Sequence, residues 1–288
     1  MDYFSVISVI IPTRNRARFL EKAVQSVFRQ RLACGELIIV DDGSTDDTAR
    51  LVERLAATAP VRVRYLFQER AGAAAARNLG IRKAGGEMLC FLDSDDWWLP
   101  EKLEIQWASM QEQPGYPVSH TREIWYRRGV RVNQKKIHAP PHGDIFARAL
   151  AMCVVGMSTV MIRRELFDRY GLFDPSFPCC EDYEFWLRIG CREPFLLVDR
   201  PLTCKDGGRP DQLSSRYRVG MDRFRIRAIC KLLDSGVLTA QQSRLAREEL
   251  VRKCRIYGQG CIKHGRLEEG AWYARLPEKY QARTIAKA

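Results

Sequence analysis

The chain carries an apolar run that ends in three carboxylates, Met88-Leu89-Cys90-Phe91-Leu92-Asp93-Ser94-Asp95-Asp96. Consecutive apolar residues of this length are typical of a buried strand, and the acids follow where that strand would end. Carboxylates this close together repel one another, and burial adds a cost of desolvation. Two interpretations stand: a hard divalent cation, Mg²⁺ or Mn²⁺, relieves the repulsion, or the acids form a solvated turn that caps the next helix.

This acidic run closes a series of alternating strand and helix patterns in the first hundred residues. Short apolar strands are predicted at 6–11, 37–40, 61–67 and 87–92, with amphipathic helical patterns between them. The alternation predicts an α/β fold with a mostly parallel sheet flanked by helices. In such sheets ligands bind at the carboxyl ends of the strands, where the polar clusters 12–15, 41–44 and 93–96 all fall.

The remaining sequence is less regular. It predicts a hairpin around Arg128-Gly129, a short helix at 164–170, and a helix that opens with Glu181-Asp182. Residues 200–215 are rich in Pro, Gly and Ser and predict a loop or linker. From 216 onward the pattern is helical, which divides the chain into residues 1–215 and a basic helical extension at 216–288.

Composition indicates a folded protein in a reducing compartment. Of the 288 residues, 46% are hydrophobic and 28% are charged, which is ordinary for a globular enzyme. No apolar run approaches the roughly 18 residues that a membrane span needs. The start, Met1-Asp2-Tyr3-Phe4, lacks the features of a signal peptide, and the ten cysteines are irregularly spaced. We therefore expect a cytoplasmic protein.

The positive charge is concentrated at the end of the chain. Residues 205–288 carry +10 of the net charge of +12. Such a region favours anionic partners, either lipid headgroups or a phosphate-bearing acceptor. No nucleic-acid-binding motif accompanies it, so nucleic acid is not expected. One hypothesis is that this region attaches the protein peripherally to the inner face of the membrane. The other is that it is a solvated basic surface without a partner.

Four motifs together resemble family 2 nucleotide-sugar glycosyltransferases, which have the GT-A fold. They are, in order, Val9-Ile10-Ile11-Pro12-Thr13-x-Asn15, Ile39-Val40-Asp41-Asp42-Gly43-Ser44-Thr45-Asp46, Ala76-Arg77-Asn78-x-Gly80 and Phe91-Leu92-Asp93-Ser94-Asp95-Asp96. Glu181-Asp182 stands where that family carries an acidic pair on the acceptor side. The resemblance covers roughly residues 5–215.

The resemblance implies a metal-dependent, inverting transfer of one sugar from a nucleoside diphosphate donor, a UDP-sugar, to an acceptor hydroxyl. The acceptor would be a glycan or a lipid-linked glycan, in cell-surface polysaccharide or glycolipid assembly. The resemblance places Pro12, Thr13 and Arg14 in the nucleotide pocket, and Asp41 on the base. Many relatives carry an aromatic residue at position 14, so the base preference is open.

The same resemblance assigns roles to the acids. Asp95 would bind Mn²⁺ or Mg²⁺ directly, while Asp93 would meet the ribose or bind the metal through water. Arg77 would contact the donor, or else pair with Asp93 for structural reasons.

Asp182 would be the catalytic base, assisted by Glu181, although two acids also suit a helix N-terminus without any chemistry. Relatives often carry a histidine after the acidic helix; here Arg209 would contact the diphosphate instead.

Two other functions compete with this interpretation. A sugar nucleotidyltransferase usually has a glycine-rich loop after its first strand, but residues 12–15 contain no glycine. A catalytically inactive scaffold would use the basic C-terminal region and would not need to keep Asp93, Asp95 and Asp182. Processive synthases of the family carry a Gln-x-x-Arg-Trp motif that is missing here, which favours the addition of a single sugar.

Overall fold

A nine-stranded mixed sheet forms the centre of this computed structural model, which describes residues 6–281. The strands are β1 (Ile7–Thr13), β2 (Glu36–Asp42), β3 (Arg62–Gln68), β4 (Met88–Phe91), β5 (Trp97–Trp98), β6 (Val118–Arg127), β7 (Val130–Val132), β8 (Met161–Arg163) and β9 (Phe195–Gly207). Their order is β3-β2-β1-β4-β8-β6-β9-β5, with β7 paired to β6. The first four strands are mutually parallel, and β8 joins β4 antiparallel. The predicted α/β fold, with a largely parallel sheet flanked by helices, is confirmed.

Twelve α-helices accompany the sheet within the described residues. They are α1 (Ala17–Phe28), α2 (Thr48–Ala57), α3 (Ala73–Lys83), α4 (Lys102–Glu112), α5 (Phe146–Ala151), α6 (Glu165–Tyr170), α7 (Glu181–Gly190), α8 (Leu213–Arg216), α9 (Met221–Asp234), α10 (Ala240–Lys263), α11 (Leu267–Arg275) and α12 (Glu278–Gln281). The predicted helix at 164–170 and the helix that opens with Glu181-Asp182 are both present.

Two apolar cores explain why the central strands are apolar throughout. Successive residues of a strand point to opposite faces, so Ile10 packs in one core while Val9 and Ile11 pack in the other. Each face is covered by helices, and every one of these side chains is fully buried. Burial on both faces leaves the strand ends as the only place where β1, β2 and β4 can present polar residues to a ligand.

The second half of the sheet corrects one sequence prediction. Residues 200–207 belong to the long strand β9, not to a loop, and β9 pairs with β6 through a bulge near Arg122. Charged residues such as Arg200 and Lys205 interrupt the apolar pattern of β9, which hid the strand. The predicted hairpin is present as β6–β7, with Arg128 and Gly129 both at positive φ.

The helices that follow residue 215 share a core with the sheet. Phe224 and Ile229 of α9 and Leu250 of α10 lie in the same buried cluster as Phe185 and Trp186 of α7. The division at residue 215 stays a prediction about organisation. Met1-Asp2-Tyr3-Phe4 and the last seven residues of the predicted extension lie outside the described residues. Between residues 6 and 281, no helix is both long enough and apolar enough to cross a bilayer.

Candidate active site

A cavity of about 1020 Å³ opens at the carboxyl ends of β1, β2 and β4. Its volume is in the range of sites that hold a nucleotide-sized ligand. The sheet topology brings all three predicted polar clusters to its wall, together with the acidic start of α7. Of the predicted site residues, those that line it are Pro12, Thr13, Arg14, Arg77, Asp93, Asp95, Glu181 and Asp182.

The end of the cavity beside β1 contains polar atoms that lack partners. Thr13 Oγ1 and Arg14 Nε are buried, and neither has a hydrogen-bond partner among the described residues. Pro12, directly before them, completes this part of the wall. A buried polar atom without a partner costs on the order of 1–3 kcal/mol, so a ligand that bonds to these atoms would gain that energy.

The two acids at the end of β2 point in different directions. Asp41 is buried away from the cavity, and its carboxylate accepts hydrogen bonds from the Tyr65 hydroxyl at 2.6 Å and the Ser44 N–H at 2.7 Å. Asp42 lines the cavity and accepts from the backbone N–H groups of Ala71 and Gly72. Asp42 therefore lines the cavity and Asp41 does not; the role of Asp41 at the base stays a prediction.

Arg77 joins the two acidic motifs. It lies on α3 with 6% of its side chain exposed, and donates to Asp93 at 2.8 Å and to Glu181 at 2.5 Å. Burial opposes the ionisation of Asp93, but the charges of Arg77 and Lys205 outweigh it and hold the pKa of Asp93 below its ordinary value. Burial raises the pKa of Glu181 despite the same arginine. Arg77 thus fixes the spacing between the acidic strand end and α7.

Asp96 has a structural role among the three acids that follow β4. It is buried, and it accepts a hydrogen bond from Ser158 Oγ at 2.7 Å. Burial raises the pKa of Asp96 well above its ordinary value, and Lys205 lies 3.9 Å from the carboxylate. Ser158 Oγ also accepts from the Asp93 N–H at 3.0 Å, so this serine shapes the turn that carries all three acids.

Asp95 faces the cavity and is surrounded by cationic and amide groups. Arg209 forms an ion pair with its Oδ2, Gln212 donates to the same oxygen at 3.1 Å, and Arg16 lies 3.8 Å away. Arg209 also stacks over the Phe19 ring at 4.2 Å. Sequence analysis singled out Arg209 but missed Gln212 and Arg16, because these residues meet Asp95 only through the folded chain.

Asp182 stands in the first turn of α7 on the cavity wall. One carboxylate oxygen accepts from the Tyr183 N–H at 2.7 Å, and the other accepts from the Cys153 thiol at 3.3 Å. Burial raises the pKa of the Cys153 thiol well above its ordinary value, so the thiol stays protonated and remains a donor. These two bonds fix the orientation of the Asp182 carboxylate.

Asp93 and Asp95 fit a divalent cation that also binds phosphate. Within the part of the chain that the structure describes, no group of three or more His, Cys, Asp or Glu side chains is arranged to hold a metal ion. Mg²⁺ bound with a nucleotide commonly takes one or two carboxylates and completes its coordination with phosphate and water. Two cavity-facing aspartates satisfy that requirement.

Comparison with known proteins identifies the family. Residues 8–171 match the family model described as glycosyl transferase family 2. The chain is 32% identical over 194 residues to an Escherichia coli protein named UDP-Glc:alpha-D-GlcNAc-diphosphoundecaprenol beta-1,3-glucosyltransferase WfgD. This match covers 65% of the chain and 70% of the relative. Uncharacterised glycosyltransferases of two Rickettsia species also match, but the chain spans only 36% and 35% of their lengths.

Solved structures show the same fold. Staphylococcus aureus TarS 1–349 in complex with UDP-GlcNAc superposes with a TM-score of 0.73 at 21% identity, over 94% of this chain and 79% of that one. The mannosyltransferase PcManGT from Pyrobaculum calidifontis, in complex with GDP-Man and Mn²⁺, gives a TM-score of 0.63 at 19% identity. That match covers 99% of this chain and 84% of the other.

Replacing Arg77 tests its part in stability. Arg77→Leu leaves the buried Glu181 without a cation, so we expect the free energy of unfolding to fall by about 3–5 kcal/mol at neutral pH. Denaturant unfolding measures this, with Arg82→Leu, an exposed position on the same helix, as the control. Because an unpaired Glu181 protonates more readily, the difference from wild type should shrink as the pH is lowered. Equal stability of the two variants would contradict the assignment.

Proposed function

Since the chain belongs to glycosyl transferase family 2, we propose that its cavity binds a UDP-sugar and transfers one sugar, with inversion, to an acceptor hydroxyl. The match of residues 8–171 shows the family, and the glycosyltransferase activity is inferred from it. The donor, the metal, the acceptor and the role of each residue are the proposal.

One observation supports placing the proposed reaction in this cavity. Six buried side-chain polar atoms in the described residues lack a hydrogen-bond partner, and five of them belong to residues that line this one cavity. The sixth is in Arg209, which pairs with the cavity-facing Asp95. Unpaired buried polar atoms are costly and normally few, so their concentration in one place supports a large polar ligand there.

Thr13, Arg14 and Asp42 are proposed to bind the nucleoside. Thr13 and Arg14 offer buried atoms without partners, and the Asp42 carboxylate is held rigidly at the cavity wall by two backbone N–H groups. A carboxylate accepts from a ring N–H, and a guanidinium stacks on a base. The names of the E. coli relative and of the TarS complex both contain a UDP-sugar, which supports uridine.

Asp95 and Asp93 are proposed to hold Mn²⁺ or Mg²⁺. A divalent cation there would supply charge neutralisation for the diphosphate leaving group. Arg209 neutralises Asp95 in this structure, and it is therefore placed to exchange that carboxylate for the diphosphate of the donor. Arg77 keeps Asp93 ionised and in position.

Asp182 is proposed as the general base. The acceptor oxygen forms a bond to C1 of the sugar while the bond from C1 to the diphosphate oxygen breaks. The hydroxyl proton passes to Asp182, and the nucleoside diphosphate leaves. Bonds from Tyr183 N–H and Cys153 hold the carboxylate in one orientation, which is what single displacement with inversion requires of a base.

The acceptor is proposed to be lipid-linked, in cell-surface polysaccharide assembly. The name of the E. coli relative specifies a diphosphoundecaprenol acceptor. The excess of basic residues at 205–288 suits an anionic membrane surface, where such an acceptor would lie. Vesicle co-sedimentation at low salt, with and without anionic lipid, tests the membrane contact.

The metal and donor are tested with a panel of nucleotide sugars. We expect wild type to release UDP from one UDP-sugar in Mn²⁺ or Mg²⁺, and EDTA to abolish release. Asp95→Ala should lose at least about 100-fold in turnover, because charge on the leaving group is no longer neutralised. Asp168→Ala, an exposed carboxylate on α6, is the control. No release and no calorimetric binding of any nucleotide would favour an inactive scaffold.

The base is tested with a substitution that preserves shape. Asp182→Asn should lower kcat at least about 100-fold and leave the affinity for UDP unchanged, because the amide cannot accept the proton. Calorimetry and steady-state kinetics measure the two quantities, with the exposed Asp199→Asn as the control. A kcat that stays within a few-fold of wild type would exclude Asp182 as the base.

A further inference from the structure

The C-terminal helices supply part of the cavity wall. Tyr217, Met221 and Arg225 all line the cavity, and their spacing of four residues places them on one side of α9 and the turn before it. Arg216, at the end of α8, lines the cavity as well. All four residues lie beyond the 8–171 segment that matches the family model.

Arg225 lies at the Asp182 end of the cavity. Its positive charge acts on the thiols of Cys153 and Cys180, and Cys153 is the residue that donates to the Asp182 carboxylate. Burial raises the pKa of the Cys153 thiol, so that thiol is neutral and supplies no negative charge to balance the arginine. The acceptor must approach Asp182 for its hydroxyl to react, so Arg225 is near its path.

The charge of Arg225 is incompletely matched. Its side chain is 24% exposed, and Nη1 forms one bond with Asp222, at 3.1 Å. The same carboxylate oxygen also lies 3.9 Å from Lys253 Nζ. Arg225 Nε is buried without a partner among the described residues. Lys253 has a nearer carboxylate of its own, Glu249 at 3.1 Å, so Asp222 chiefly pairs with Arg225. The guanidinium of Arg225 nevertheless keeps an unused donor, Nε.

Two other arginines at the cavity each pair with two carboxylates. Arg77 has two carboxylates, Asp93 and Glu181, and Arg209 has both Asp95 and Asp206. Arg216 is exposed on the cavity side, and within residues 6–281 no carboxylate lies within ion-pair distance of it. Arg14, Arg70 and Arg127 line the cavity without a carboxylate at ion-pair distance among the described residues as well. Arg216 and Arg225 are distinguished from them by their place on the C-terminal helices and, for Arg225, by its proximity to Cys153 and Asp182.

We propose that Arg225, together with Arg216, binds a phosphate group of the acceptor. This inference rests on the proposed function, and it restricts the acceptor class to sugars that carry a phosphate or diphosphate ester. A guanidinium presents paired N–H donors that match phosphate oxygens. The apolar side chains of Met221 and Phe177, which also line the cavity, would contact the group esterified to that phosphate.

The test compares a phosphate-bearing acceptor with a neutral one of the same sugar. The probes are N-acetylglucosamine 1-phosphate and methyl N-acetylglucosaminide, each with the donor that the panel identifies. Wild type should use the phosphate-bearing probe with the higher kcat/KM. In Arg225→Ala the ratio of the two kcat/KM values should fall about tenfold, since a hydrogen-bonded ion pair is lost. Arg225→Lys should keep an intermediate ratio, and Arg244→Ala, an exposed position on α10, should keep the wild-type ratio.

Two further measurements separate the outcomes. Calorimetric binding of UDP should be the same in wild type and Arg225→Ala; if wild type binds no UDP, the proposed function itself fails. An unchanged ratio in Arg225→Ala, with normal UDP binding, would overturn the acceptor site alone.

Co-sedimentation with phosphatidylglycerol vesicles distinguishes the source of the phosphate. Arg225→Ala should sediment like wild type, and reduced sedimentation with an unchanged ratio would assign Arg225 to lipid headgroups instead.

Discussion

The active site depends on a single buried guanidinium. Arg77 binds Asp93 at the end of β4 and Glu181 at the start of α7, and it is nearly inaccessible to solvent. Two carboxylates separated by 88 residues in sequence would otherwise repel each other across a cavity. Because Arg77 offsets that repulsion, the donor side and the acceptor side of the proposed reaction are held at a fixed separation. The position of Asp182, next to Glu181, follows from the same contact.

Two parts of the cavity wall come from different segments of the chain. Near β1 and β2 the wall belongs to the segment that matches the family, and its unpartnered atoms are those proposed to bind the nucleotide. Near α8 and α9 the wall comes from the C-terminal helices, which share one apolar core with the rest of the protein. In the proposed function, this shared core would hold the helices that contact the acceptor against the segment that binds the donor.

The sequence predicted the fold well because the central strands are buried on both faces and must be apolar. It predicted the polar clusters at the strand ends for the same reason. It placed Asp41 on the base, whereas Asp42 is the acid that lines the cavity, where the backbone N–H groups of Ala71 and Gly72 hold its carboxylate. That contact depends on the folded loop at 71–72 and has no signal in the sequence around Asp42. Nor did the sequence predict Arg225, which reaches the cavity only through the packing of α9. The charged residues of β9 concealed a strand that has an ordinary place in the sheet.

The most direct measurement is a crystal structure of the protein with UDP and Mn²⁺, with anomalous scattering recorded at the manganese edge. The account predicts uracil beside Thr13 and Asp42, an anomalous peak at the Asp95 carboxylate, and Arg209 released from Asp95 toward the diphosphate. Two results would contradict it. One is nucleotide bound outside this cavity. The other is nucleotide bound in the cavity while Arg209 still pairs with Asp95 and no anomalous peak lies at Asp95 or Asp93.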